Sequence, residues 1–538
     1  MRSSPPAQSL PVVVSVGFAG SRHLLDPSAR PDPCQRLEFE GRIVRKLAET
    51  LGRLAADLDL SIHHFLFGIS QAAIGGDLLF GRACASVPIP QRIFLPQSRD
   101  EFLSAVGADG NPDFTENEKR QALELLTSPH VIHEQVVSNS SDRTARFEDA
   151  NIEILRASDV VICLLRANAS PKPGGTAELL EQARILGKPA LEIRVSERDG
   201  LPEFTETWHH PTKPWTAPEL PEDIGGAPRE ESPSSPSPGV PMRASEYLEA
   251  LRHLGDGVAV WKQRLFKSQA FTVIGAHLLA TLCALIALKL NPENHANAIL
   301  LPVLLGLELI LLASGFAVHH LIHHSHLVQV WATSRLTAEI ARSVGSLKAY
   351  HVHLDYLFTL PFPDSLRPLL RTIDVLHLAS SKDGPGSWQE ERAHYLAQRF
   401  DGPNGQIRYY STKLAQSKRK LRLASRFFYG ATATAVLATG IKLALILTGH
   451  HHPPSALGVL AILMPVIAVG ALSLAASFDL EARVHTYQEM LDHLTGIRPL
   501  FDAATTERAF THLMLRTEYR LLGETAHWAS RRSFTSVT

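Results

Sequence analysis

Four stretches of about 20 apolar residues each decide what this 538-residue chain can fold into. They are Phe271 to Leu290, Ala298 to Val318, Phe428 to Thr448 and Ala456 to Phe478. At a rise of about 1.5 Å per residue, each matches the roughly 30 Å hydrocarbon thickness of a bilayer. Buried helices of a large soluble domain are the competing reading. Only NPENHAN separates the first two stretches, and only GHHHPPS the last two. Helices joined so closely must be antiparallel neighbours, so the pattern predicts two transmembrane hairpins. Overall composition would hide this, because a hydrophobic share of 45% is ordinary for a soluble protein.

Basic residues set the expected orientation. Lys262, Arg264 and Lys267 precede the first span, and Lys413, Lys418, Arg419, Lys420, Arg422 and Arg426 precede the third, whereas the hairpin loops carry almost none. The positive-inside rule points both tips outward and leaves both termini in the cytoplasm of a cell whose inner membrane holds the chain. A formal net charge of −1 gives no support to a nucleic-acid partner. The four cysteines, Cys34, Cys84, Cys163 and Cys283, form no CxxC pair, which suits a reducing compartment and offers no thiolate metal site.

Residues 11–198 read differently. The short apolar runs VVVSVGF, HHFLFGIS, RIFLP, VVICLL and PALEIRV alternate with helical stretches, of which Ile43, Leu47, Leu51 and Leu54 mark one apolar face. Strands this apolar are buried on both faces, as in a parallel sheet covered by helices. The expected fold class is an α/β Rossmann-like N-terminal domain followed by an all-α membrane region with two transmembrane hairpins. Residues 199–243, rich in Pro, Ser, Gly and acid, read as a linker. A first helical region then covers 244–387 and a second 388–538. Each hairpin follows a basic helix and precedes a long charged one, and each second span contains a proline, Pro302 or Pro465. That parallel predicts a diverged internal duplication.

Three glycine-centred turns in the head are candidate ligand contacts: Gly17, Gly20, Ser21 and Arg22 after the first strand, Gly75, Gly76 and Asp77 opening one helix, and Gly174, Gly175, Thr176 and Glu178 opening another. Glycine lets backbone amides approach a ligand, and a helix N-terminus favours anions. Ser21, Arg22 and Thr176 suit phosphate; Asp77 and Glu178 suit ribose hydroxyls. The alternative is that these glycines only make tight strand-to-helix turns.

The segments VGFAGSR, GISQAAIGGDLLFGRACA, IFLPQ and SDVVICLL followed by KPGGTAELLEQARILGKP resemble the SLOG superfamily over about residues 11–195. That resemblance implies a Rossmann-like domain that binds nucleotides or their derivatives, as a sensor or as a hydrolase. The hydrolases of the group carry PGGxGTxxE, with a catalytic glutamate three residues after the threonine. Here that position is Leu179, so the resemblance implies ligand binding without assigning a catalytic residue or a cofactor. Residues 388–531 are similar to the SLATT family of two-transmembrane effectors, through Tyr395, Arg399, Gln406, Tyr409, Tyr410 and Lys413 before the second hairpin and Glu524 and Trp528 after it. The first hairpin, flanked by WKQRLFKSQAF and WATSRLTAEIARS, looks like a diverged copy. The family is associated with bacterial conflict systems and with pores or membrane disruption.

Within the spans, Glu308 and Lys442 are candidate pore or intramembrane residues, since a charge at mid-depth is costly unless paired or wetted; Lys442 alternatively snorkels to an interface. His319 with His323, and His320 with His324, have i, i+4 spacing but no nearby acid or cysteine, and read as a wet juxtamembrane face. The expected function is therefore a homo-oligomeric antiviral effector in the bilayer, gated by a nucleotide-derived small molecule. A membrane-tethered nucleotide or NAD hydrolase and a constitutive transporter or scaffold are the alternatives.

Overall fold

A computed structural model of the chain describes residues 10–25, 32–106, 112–221, 240–290, 295–347, 350, 352–380, 387–403, 405–448 and 454–534. His450, His451 and His452 of the second hairpin loop, and residues 222–239 of the Pro-rich stretch, lie outside them. The chain divides into two compact units: one holds residues up to Glu249 together with His351–Asp383, the other Ala250–Tyr350 with Gly384 onward.

The first unit contains β1 (Val12–Gly20), α1 (Pro33–Asp57), β2 (His64–Ser70), α2 (Gly76–Ser86), β3 (Gln91–Leu95), α3 (Arg99–Leu103), α4 (Glu116–Leu126), β4 (Val131–Val136), α5 (Arg143–Ala157), β5 (Val160–Arg166), α6 (Thr176–Ile185), β6 (Ala190–Arg198) and β7 (Leu201–His209). The strands form one sheet in the order β4-β3-β2-β1-β5-β6-β7, parallel except for β7. Strand order reverses between β1 and β5, the place where open sheets of this kind leave a crevice at their carboxyl ends. Ile43, Leu47, Leu51 and Leu54 of α1 are at most 1% exposed, as their spacing predicts. Each contributes about 1.5–3 kcal/mol by leaving water. Phe18 of β1 stacks on Phe80 of α2 at 4.2 Å.

Two features depart from the sequence reading. Residues 201–209, assigned to the linker, form β7, paired in register with β6 from Arg198↔Leu201 to Ala190↔His209. The two residues between, Asp199 and Gly200, have φ of 52° and 76°. Asp-Gly with both φ positive is the tight hairpin turn whose twist suits the flanking strands. Residues 352–380, assigned to the first helical region, instead fold with the head. They contain α10 (Tyr356–Thr359), a 3₁₀ turn (Asp364–Leu366) and α11 (Arg367–Ala379). Buried polar groups fix α11 to the sheet. Thr372 Oγ1 accepts from the Val13 amide at 3.0 Å, Arg371 pairs with Asp159, and Asp374 binds both Arg92 and His353.

The second unit is helical: α7 (Ala244–Ala287, entering it at Ala250), α8 (His295–His324), α9 (Leu327–Gly345), α12 (Trp388–Leu396) running into a π-helical turn (Ala397–Asp401), α13 (Gln406–Leu447), α14 (Ser455–Ser477), α15 (Leu480–Ala503) and α16 (Glu507–Phe534). Four of these helices are long and apolar enough to cross a membrane. Their apolar parts coincide with the four stretches, except that the first helix stops at Ala287. Small residues set the closest approach: Ala431, Ala435 and Ala438 of α13 and Ala468 and Gly470 of α14 are buried. Both hairpins leave the apolar zone by the same device. His326 between α8 and α9 and Asp479 between α14 and α15 have φ of 46° and 47°. A left-handed residue is uncommon outside glycine, and both corners use one.

Away from the apolar zone, α9 meets α16 through Trp331 and Trp528, whose ring centroids are 5.1 Å apart, and the Arg335 guanidinium lies 5.0 Å from the Trp528 centroid. Arg399 and Glu518 form a buried bidentate pair at 2.8 and 2.6 Å, and the Tyr395 hydroxyl donates to the same carboxylate at 2.9 Å.

Candidate functional site

The carboxyl edge of the sheet gathers the candidate residues, but in unequal roles. Gly17 lies inside β1, paired with Ile69 and Val161. A Cβ there would meet the Ser158 Oγ at 2.1 Å and Ile154 at 3.1 Å, so this glycine admits α5 onto the sheet and is not part of a turn.

Gly20 and Gly76 form a crossing of two backbones. A Cβ on Gly20 would sit 2.4 Å from the Gly76 Cα, and one on Gly76 would sit 2.5 Å from the Gly20 Cα. The crossing consumes the amides that the sequence offers to a ligand: Gly20 N–H donates to Asp77 Oδ1 at 3.0 Å, and Gly76 N–H to the Ser21 carbonyl at 3.1 Å. Gly75, at φ 83°, lies against the Arg22 carbonyl. Asp77 is buried. Desolvation pushes its carboxyl up to about 7, against the Gly20 and Ala73 amides and the Arg22 charge, which pull it down. Asp77 thus acts as a clasp between loops. Ser21 is tied as well, its amide donating to Leu164 and its Oγ accepting from the Arg166 amide at 3.3 Å.

The third turn is self-capped. Gly174 N–H donates to Glu178 Oε2 at 2.7 Å, and Gly175 N–H to the Lys172 carbonyl at 2.9 Å. Gly174 has φ 71°, and a Cβ there would press on the Phe147 Cβ at 3.0 Å. Thr176 is the first residue of α6.

What draws the turns together is the first part of α5, which the sequence reading passed over. Arg22 from the β1 turn reaches Asp113 at 3.5 Å, and Arg143, the first residue of α5, reaches the other oxygen of the same carboxylate at 2.5 Å. One turn along the helix, Phe147 lies under the Gly174 turn, and Arg143 stands 5.9 Å from its ring centroid. Arg146 beside them is met by neutral oxygens, the Ser140 carbonyl at 2.6 Å and the Gln97 side chain, with Glu101 near but turned to cap Ser98. Asp142 caps the helix by accepting from the Ala145 amide at 2.8 Å. Gln71 and Asn151, both buried, pair at 3.1 Å, and one further amide atom of each has no partner among the described residues. The sequence signal for this cluster was SDRTARF, an N-cap followed by two arginines and a ring.

In the second unit, Glu308 is half-exposed in α8 and makes no hydrogen bond or ion pair among the described residues. Lys442 sits near the hairpin end: its Nζ lies 3.9 Å from where a Gly458 Cβ would stand, and the Lys289 Nζ 4.0 Å from that point. His319 and His323, and His320 and His324, face one another on α8 at 4.7 and 5.7 Å. No group of three or more metal-ligating side chains occurs among the described residues. All four cysteines are free thiols, Cys34 exposed and the others buried.

No family model, no curated protein and no solved structure matches the chain.

Proposed function

We propose that the head binds a nucleotide-type anion at the carboxyl edge of its sheet and that this binding gates the two membrane hairpins, making the chain a signal-controlled membrane effector. One observation carries the reading: Asp113 holds Arg22 and Arg143 together on a single carboxylate, beside Arg146 and the Gly174 turn. Two guanidinium forks on one acceptor group suit a phosphate, which offers more oxygens and more charge than the carboxylate it displaces. Asp113 then serves as an internal stand-in that the ligand replaces. The resemblance to SLOG sensors and SLATT effectors supports the same reading, with antiviral defence as its setting, a homo-oligomer in the inner membrane as its form, and pore formation through the hairpins as its output.

Hydrolysis is less well supported, because the Glu178 carboxylate is occupied in capping Gly174. The test is binding of nucleotides to the full chain in detergent, followed by thermal shift and calorimetry. Arg143→Gln should weaken binding about tenfold or more, as loss of a charge-assisted hydrogen-bonded partner does. Asp113→Asn should strengthen it, by removing the competitor. Equal affinity in all three proteins would sink the proposal, and turnover abolished by Glu178→Ala would favour the enzyme instead.

A further inference from the structure

Helix α8 ends in a run of histidines that the proposed gating does not use. His319, His320, His323 and His324 occupy its last two turns, just past the second apolar stretch, and all four are exposed. A helix brings residues four apart onto one face, so they form two pairs. The structure tells the pairs apart. The His319 and His323 rings have centroids 4.7 Å apart and planes crossed at 60°. The His320 and His324 rings lie 5.7 Å apart and almost parallel, at 9°, and Phe316 extends their stack, 6.5 Å from His320 at 11°. Flat-ring packing accounts for the second pair, and the first stands outside it. Neither His319 nor His323 has a hydrogen bond or ion pair from its ring among the described residues.

Ring separation decides what each pair can hold. A divalent ion sits about 2.0–2.1 Å from an imidazole nitrogen, and the nitrogen about 1.1–1.2 Å from its ring centre, so two imidazoles at roughly 90–110° on one ion have centres about 4.5–5.2 Å apart. The 4.7 Å of His319 and His323 falls inside that range, and the 5.7 Å of the stacked pair falls outside it. Turning an exposed ring about its Cβ–Cγ bond leaves the ring centre in place and swings the nitrogens, a motion with a broad, shallow energy profile. The two nitrogens can therefore meet at one ion without a change of χ1. The position suits a cation as well, because the C-terminal end of a helix is the negative end of its dipole. No carboxylate or thiolate joins the pair among the described residues, which leaves nothing to favour a hard ion such as magnesium or calcium.

We infer that His319 and His323 chelate a borderline divalent transition-metal ion (zinc, nickel or copper) through one nitrogen of each ring, with water completing its shell. Two protein ligands make an open, exchangeable site, unlike the closed four-ligand sites that hold structural zinc. The bound ion would join two successive turns of α8 directly before the left-handed corner at His326, and so stiffen the exit from the second span.

The test uses the full chain in detergent, purified through a tag that contains no histidine. Copper(II) is the probe, because it binds nitrogen ligands most tightly among these ions. The chain has 26 histidines, so differences between variants carry the result. H319Q/H323Q should bind one equivalent of copper fewer than the unaltered protein, and H320Q/H324Q should lose none. The electron paramagnetic resonance signal missing from H319Q/H323Q should be that of copper held by two imidazole nitrogens. The single variants H319Q and H323Q should each abolish that signal, which guards against a folding defect in the double variant. Equal copper uptake by the unaltered protein and H319Q/H323Q would overturn the inference. An equal loss in the two double variants would overturn it too, since ring separation would then decide nothing.

Discussion

Replacing Gly76 with alanine puts a methyl group 2.5 Å from the Gly20 Cα and 3.0 Å from its carbonyl carbon, where an ordinary contact needs about an ångström more. Neither atom is the far end of a flexible side chain, so the two backbones must part. Parting them breaks the Gly76 N–H bond to Ser21 and the Gly20 N–H bond to Asp77, at 3.1 and 3.0 Å. A neutral backbone hydrogen bond is worth about 0.5–1.5 kcal/mol and one to a carboxylate about 1.5–3 kcal/mol, so the expected loss is about 2–4 kcal/mol. Asp77, pushed up to about 7, is only partly ionised near neutral pH, which keeps the value toward the lower end. In a unit of this size the loss lowers the melting temperature by roughly 4–16 °C. Gly41 and Gly52 of α1 serve as opposite-sign controls: a Cβ there meets nothing within 4 Å, and alanine in a helix gains about 0.5–1 kcal/mol. The measurement is hydrogen exchange of β1 and α2 peptides in the full chain, with thermal unfolding alongside. If G76A exchanges and melts like the unaltered protein while G41A and G52A are stabilised, the glycine crossing is not what holds these loops.

Other outcomes follow from the buried charges. Asp374→Asn leaves Arg92 and His353 without their shared carboxylate and should cost about 3–5 kcal/mol, seen as faster exchange across 352–380. Burial lowers the His353 affinity for protons, but the hydrogen bonds to Asp355 and Asp374 outweigh it and raise its pKa to about 9. A base with a raised folded pKa stabilises fully below its unfolded value near 6.5 and loses that contribution as pH rises through 9, so protection of this segment should fall across that window in the unaltered protein and not in H353Q. Its neighbour His133 has the opposite sign: burial and the Arg92 charge lower it to about 4, so stability should fall as pH drops from 6.5 toward 4, an effect absent from H133Q. Glu518→Ala strands Arg399 in the interior and should cost about 3–5 kcal/mol, visible as early melting by the fluorescence of Trp388 and Trp528. Gly315→Leu collides with the His277 ring, 2.9 Å from the ideal Cβ, and should separate α8 from α7, loosening cross-links between cysteines placed on the two helices.

The sheet was legible where its strands are buried on both faces. VVVSVGF and VVICLL need no partner to be recognised, because nothing but a central position suits so many apolar residues in a row. β4, VIHEQV, sits at an edge, half-exposed and polar at three of six positions, and no run of that kind stands out from loop. β7 was hidden in an acidic, Pro-rich neighbourhood, although Asp199-Gly200 was a readable turn signal. The 352–380 insert was illegible for a different reason. Its anchors, Thr372 to Val13 and Asp374 to Arg92, join residues separated by 359 and 282 positions, and local pattern carries no trace of such pairings. The glycine turns were found, but not which of their amides other loops would claim. Asp113 was missed because its importance lies in two arginines arriving from separate strand ends.

The continuity of α13 has a mechanical consequence. Its 42 residues run without interruption from Gln406, in the packing around Tyr410, to Leu447 at the hairpin end, a rod of about 63 Å. No break separates the part that packs against α15 from the part that lies in the apolar zone, so a rigid tilt about a point near Phe428 would move both arms together. A tilt of roughly 10° imposed on the arm before Phe428, which is about as long as the arm beyond it, displaces the far end by about 5 Å. Torque applied at Tyr410 would reach the stretch around Ala431, Ala435 and Ala438, which is buried.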